Sequence, residues 1–198
     1  HLLRQLVKTT LNLEMAATDA MVGFALDVKP DLVTLVPEKR EEQTTEGGLD
    51  IVGRREHLAD IVAELRDAGL IVSAFIDAEP EQIEAASAIG FDVCEVHTGP
   101  YAHAFADVGG DFLHERLKRE LHAVAEAGKR IREAGMRFNA GHALNYHNVG
   151  PIAALEGIAE LHIGHAIVSR AIFDGLRSAV AEMKRLMVES AQSAGRVR

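Results

Sequence analysis

A single cysteine, Cys94, stands in the whole chain. It excludes an intramolecular disulfide and a cysteine-rich metal site, and it fits a reducing cytoplasm. Set in an apolar run, Cys94 reads as a small core residue. Positive charge is also scarce: 21 Lys and Arg face 30 Asp and Glu, for a net charge of -9. That balance argues against nucleic acid or an anionic membrane as partner, since both need a basic surface. An anionic small molecule needs only a locally positive site. No apolar stretch approaches membrane-spanning length. The opening His1-Leu2-Leu3-Arg4-Gln5-Leu6 is too short and too polar for a signal peptide, so the expected location is cytoplasmic.

What is present is ordinary for a globular domain: 198 residues, 47% hydrophobic and 26% charged. The length predicts one domain with a sizeable core. Short, nearly continuous apolar runs predict strands at 11–15, 32–36, 70–76, 91–97, 136–141 and 160–163, as in parallel strands buried on both faces. Between them the spacing is helical. Leu58, Ile61, Val62 and Leu65 share one face, as do Leu117, Leu121, Val124 and Ile131. A last helix is expected to stack Ile172, Leu176, Val180, Met183 and Met187. Gly69, Gly90 and Gly135 each follow a helix and precede a strand, the position where a left-handed backbone favours glycine.

Alternating segments with repeated turns of this kind indicate a parallel α/β fold. The expected architecture is a (β/α)8 TIM barrel with about six of its eight units visible, residues 1–198 forming one N-terminally incomplete domain. An open doubly wound sheet is the alternative. Residues 37–49 and 98–110 read as two long loops at the catalytic end, with Gly47-Gly48 and Gly109-Gly110 as hinges for a lid.

The chemistry-bearing residues gather at strand ends. Glu14 closes its run, where partial burial raises a carboxyl toward the range of a proton shuttle. Glu38 and Asp77 sit just past their runs. Glu95 and His97 alternate onto one side of a strand, and a charge buried there needs a partner or a task. His142 follows a glycine at a strand end, the place for a general acid or base. Gly164-His165 repeats that layout and then enters a helix, whose first amides favour an anion. The loops after the seventh and eighth strands form the usual phosphate site of such a barrel. Lys39 and Arg40 either neutralise phosphate, with Lys39 also a possible Schiff base, or pair with nearby glutamates. Glu14, Glu95, His97 and His142 also admit an oxygen/nitrogen metal reading, though their spacing follows no tight motif.

Six separated motifs resemble the pyridoxine 5′-phosphate synthase family. Val36-Pro37-Glu38-Lys39-Arg40 followed by Thr44-Thr45-Glu46-Gly47-Gly48-Leu49-Asp50 is similar to its signature loop. Asn12-Leu13-Glu14-Met15-Ala16, Glu95-Val96-His97-Thr98-Gly99, Asn139-Ala140-Gly141-His142, Gly164-His165-Ala166-Ile167 and 181–187 also match, in order. The resemblance implies a (β/α)8 barrel and a homo-oligomer, usually an octamer. It implies condensation of 3-amino-2-oxopropyl phosphate with 1-deoxy-D-xylulose 5-phosphate, with no metal or organic cofactor. Carried over by motif, Glu14 is a proton-transfer base, His142 a proton donor, and Glu95 a stabiliser of the transition state. Thr44 touches the deoxyxylulose phosphate from the lid. Ala143, where the family often has glycine, holds the phosphate of the aminoketone with Gly164 and His165.

The family's Asn-x-Asp-His segment and its His- and Arg-rich segment find no match here, so the chain resembles the C-terminal three-quarters of such an enzyme. Two other readings remain at this point: a phosphate-binding barrel lyase or aldolase using Lys39, and a barrel that binds phosphate without catalysis.

Overall fold

The computed structural model describes residues 1–38 and 47–195. Helix α1 (Leu2–Leu6) leads into strand β1 (Asn12–Ala16). There follow α2 (Asp19–Val28), β2 (Leu32–Val36), α3 (Arg55–Asp67), β3 (Ile71–Ile76), α4 (Pro80–Ile89) and β4 (Val93–His97). Then come α5 (Gly99–Asp107), α6 (Glu115–Glu133), β5 (Arg137–Gly141), α7 (Val149–Ala153), β6 (Ile158–His162), α8 (His165–Asp174) and α9 (Leu176–Ser193).

The six strands form one parallel sheet in the order β1-β2-β3-β4-β5-β6. A doubly wound sheet reverses its strand order at a switch point. This sheet never reverses, and it curls into a partial barrel. All six predicted strands are present, with ends moved by a residue or two. The predicted helix stops also hold: Gly69, Gly90 and Gly135 take φ of 80°, 93° and 81°.

Register sorts the strand residues onto two faces. Met15, Leu35, Ala74, Cys94 and Phe138 point outward, where they pack with Leu58, Leu65, Ile83, Leu117 and Ile131 of the helices into one core. Cys94 is fully buried, and desolvation pushes its thiol up to about 12. The inner face is mixed: Leu32, Phe75 and Val93 share it with the polar residues. Glu14 lies beside Thr34 and Ser73, and Glu95 lies beside Asn139 and Glu160.

One irregularity governs that face. Phe138 pairs with Ile158, but its neighbour Asn139 pairs with Glu160, so Ala159 is passed over. Side chains alternate along a strand, so one extra residue exchanges the two faces beyond it. Ile158 packs against the outer core, while Glu160 and His162 turn inward.

Two expectations are corrected. Residues 98–110 are mostly helix α5. Pro100 suits a first helical turn, and Tyr101, Ala102 and Ala104 give the segment a buried face. Gly109 and Gly110, at φ of 62° and 80°, stop it instead of hinging a loop. The expected last helix is two, because Gly175 at φ 78° and ψ 149° breaks it. Ile172 and Leu176 are exposed, and Ala179 and Met183 supply the buried contacts of α9.

Candidate active site

The C-terminal ends of the strands open onto a cavity of about 990 Å³. Glu14, Glu95, His142, Ala143, Gly164 and His165, which the sequence reading placed on four separate segments, all line it. Thr44, Lys39 and Arg40 lie outside the described residues, and Glu38 is exposed.

Glu14 stands on β1 at the cavity mouth. Desolvation by the surrounding wall raises its carboxyl above the ordinary range, the negative Glu95 raises it further, and His162 and His142 pull it partly back. Glu95 on β4 is buried against Gly141, where an added Cβ would lie 2.2 Å from Glu95 Oε1. A glycine is required there for the carboxylate to reach the cavity.

His142 and Ala143 follow β5 in an unusual backbone, with φ of 79° and 57°. Several bonds hold it. Thr98 Oγ1 lies 2.6 Å from both the Gly141 and His142 carbonyl oxygens. Asn148 Nδ2 donates to the Ala143 carbonyl at 3.3 Å, and Tyr101 Oη donates to the Asn148 carbonyl at 2.8 Å. The His142 ring meets His97 edge to face at 5.0 Å. His97 is buried, with Nδ1 2.8 Å from Asp77 Oδ1. Asp77 also accepts from the Gly48 N–H at 2.9 Å, which ties the end of the 37–49 segment to the cavity rim. The bond from His97, with help from Gly48, holds the Asp77 carboxyl below its ordinary value.

Gly164 precedes α8 at φ -106°, and an added Cβ would meet nothing within 4 Å. The glycine is therefore not required by a cramped turn. It leaves room at the start of α8, where Gly164, His165 and Ala166 line the cavity and a helix start carries partial positive charge.

One residue escaped the sequence reading. His162, on β6, has Nδ1 2.6 Å from Glu95 Oε2 and Nε2 3.5 Å from Glu160 Oε2. Burial lowers its pKa, but the bonds to Glu95 and Glu160 and the nearby Glu14 charge outweigh that, and the net shift is upward. The available signal was alternation: His162 lies two residues from Glu160. Among the described residues, the grouping that could hold a metal is Glu14, Glu95 and His162, with donor atoms within 4.8 Å of one another. The alternative metal grouping considered from sequence, which included His97 and His142, differs from this one. A cation here would have to replace the short Glu95–His162 bond.

Comparison with known proteins follows the same lines. Residues 1–189 match the family described as "Pyridoxal phosphate biosynthesis protein PdxJ". The chain is 61% identical over 189 residues to pyridoxine 5′-phosphate synthase of Azoarcus sp. (strain BH72), a match covering 96% of this chain and 76% of that one. It is 60% identical over 190 residues to the same enzyme of Dechloromonas aromatica (strain RCB), with the same coverage of each. Among solved structures it resembles the Amycolatopsis orientalis BexX/CysO complex at a TM-score of 0.57 and 16% identity, covering 87% of this chain and 61% of that one. It also resembles the citrate synthase SbnG at 0.53 and 15%, covering 94% and 75%. Those two likenesses speak to the fold alone. With its motifs in order, its inner-face carboxylates around one cavity and a match over 189 residues, this chain belongs to the PdxJ family.

Proposed function

We propose that the chain is a pyridoxine 5′-phosphate synthase that condenses 3-amino-2-oxopropyl phosphate with 1-deoxy-D-xylulose 5-phosphate, releasing phosphate and water. The observation that carries this is the convergence of Glu14, Glu95, His142, Ala143, Gly164 and His165 on one cavity of about 990 Å³, in a chain of this family. The same reading makes the six units consecutive members of an eight-unit barrel, a soluble cytoplasmic enzyme that assembles as a homo-oligomer, an octamer by family resemblance.

The chemistry suits the residues. An amine must add to a ketone, water and phosphate must leave, and a ring must close. Each step moves a proton, so several acid/base groups around one cavity are needed. Glu14 takes protons: its raised pKa brings it nearer to neutrality, where a base shuttles best. His142 gives them, and Glu95 faces the positive charge that develops on the substrate. The amides at Ala143, Gly164 and His165 hold the phosphate of the aminoketone, and Thr44 contacts the other phosphate. Two anchored phosphates lower the entropic cost of bringing two small substrates together.

The test is direct. Incubation with both substrates is expected to yield pyridoxine 5′-phosphate by mass spectrometry. Glu14→Gln is expected to keep its melting temperature and lose about 10²–10⁴-fold in kcat, the usual cost of one acid/base group. Near-normal turnover in that variant overturns the role of Glu14, and absence of product from the parent overturns the function.

A further inference from the structure

We infer that His162 is a positioning residue: it fixes the Glu95 carboxylate and aims it into the cavity, leaving Glu14 as the carboxyl free to exchange the proton moved during the reaction. This rests on the function proposed above and assigns a residue to that site.

The geometry is specific. Glu14 from β1, Glu95 from β4 and His162 from β6 bring donor atoms within 4.8 Å of one another. Two carboxyl groups that close do not ionise with equal ease, and what lies on the far side of each decides which keeps the proton. Behind Glu95 stands His162, at 2.6 Å, its own far nitrogen directed to Glu160. Glu160 is held in turn by Arg137 of β5, at 3.9 Å. Of the two carboxylates, Glu95 alone is buried and has a histidine nitrogen at bonding distance, the partner that a buried carboxylate needs. Among the described residues Glu14 has no histidine at bonding distance; His142 and His162 act on it through space. The directions of titration agree, Glu14 and His162 both being shifted upward. The pair exists because the bulge at Ala159 turns β6 inward.

Two measurements test this. The first needs no turnover. In ¹⁵N NMR titration of the histidine rings, the His162 midpoint in the parent is expected above the ordinary 6.5. In Glu95→Gln it is expected to fall by about one pH unit, a tenfold loss of proton affinity. An unchanged midpoint overturns the pairing. The second is kinetic. His162→Leu is expected to lower kcat by about 10–100-fold with KM for both substrates within about twofold, and to displace the acid limb of the kcat/KM profile. His162→Asn, whose amide N–H replaces the Nδ1 donor, is expected to recover most of the rate. A pH profile superimposable on the parent's, a loss confined to KM, or an Asn variant as poor as the Leu variant overturns the inference. If the parent makes no product, the proposed function fails and the titration alone decides on His162.

Discussion

His142 and Ala143 carry the plainest strain in the described chain. Two consecutive residues with a Cβ occupy the left-handed region, which costs on the order of 1 kcal/mol each. The bonds from Thr98 and Asn148 hold them there. Ala143→Gly removes the steric part of that cost at φ 57°. Its melting temperature is expected to rise by about 2–4 °C, corresponding to about 1 kcal/mol. A fall on differential scanning calorimetry would show that the loop is not strained at this residue. Gly141 behaves in the opposite way. Any side chain there meets Glu95 Oε1, so Gly141→Ala is expected to displace the carboxylate and cut turnover at least as deeply as changes to Glu95 itself. Measured kcat for the two variants side by side checks this.

At the scale of elements, the sequence was most readable where one physical signal dominated. The strands are apolar runs bounded by turn residues, and the helix stops are glycines with a left-handed backbone, so both were legible. The stretch at 98–110 was misread because Gly-Pro at one end and Gly-Gly at the other outweighed the buried face of Tyr101, Ala102 and Ala104 between them. His162 was not legible because a bulge leaves no mark in the sequence of β6. Ala159 is a small residue like many others. The junction of β6 with α8 yields a separate prediction. Since an added Cβ at Gly164 meets nothing of the protein, Gly164→Ala is expected to leave the melting temperature within about 1 °C, the scale of a surface change. KM for the aminoketone phosphate is expected to rise several-fold, because the methyl occupies space where the ligand approaches. A stability loss with unchanged KM would return Gly164 to a purely structural role.

For the whole molecule, pH links the site to stability. The Asp77 carboxyl titrates below its ordinary 3.8, so its contribution is present above that value and disappears as pH falls through the folded one. His162 is raised above its ordinary 6.5, so its contribution is complete below that value and disappears as pH rises through the folded one. Glu14, also raised, acts in the same sense as His162. The melting temperature is therefore expected to be highest above roughly pH 4 and below 6.5 and to decline toward pH 8, with the alkaline decline shallower in His162→Leu. A melting temperature that climbs from pH 6 to 8 would contradict the assignment of His162. The unreversed strand order has a further consequence, for the way the chain assembles. Each strand hydrogen-bonds to the one before it in sequence, so the sheet can grow by short-range additions with little loop-closure penalty at any step. The Glu95–His162 bond spans 67 residues and waits for β6. A growing chain thus carries its carboxylates for some time before their partner arrives, and pulse-labelled hydrogen exchange should find the β6 amides among the last to gain protection during refolding.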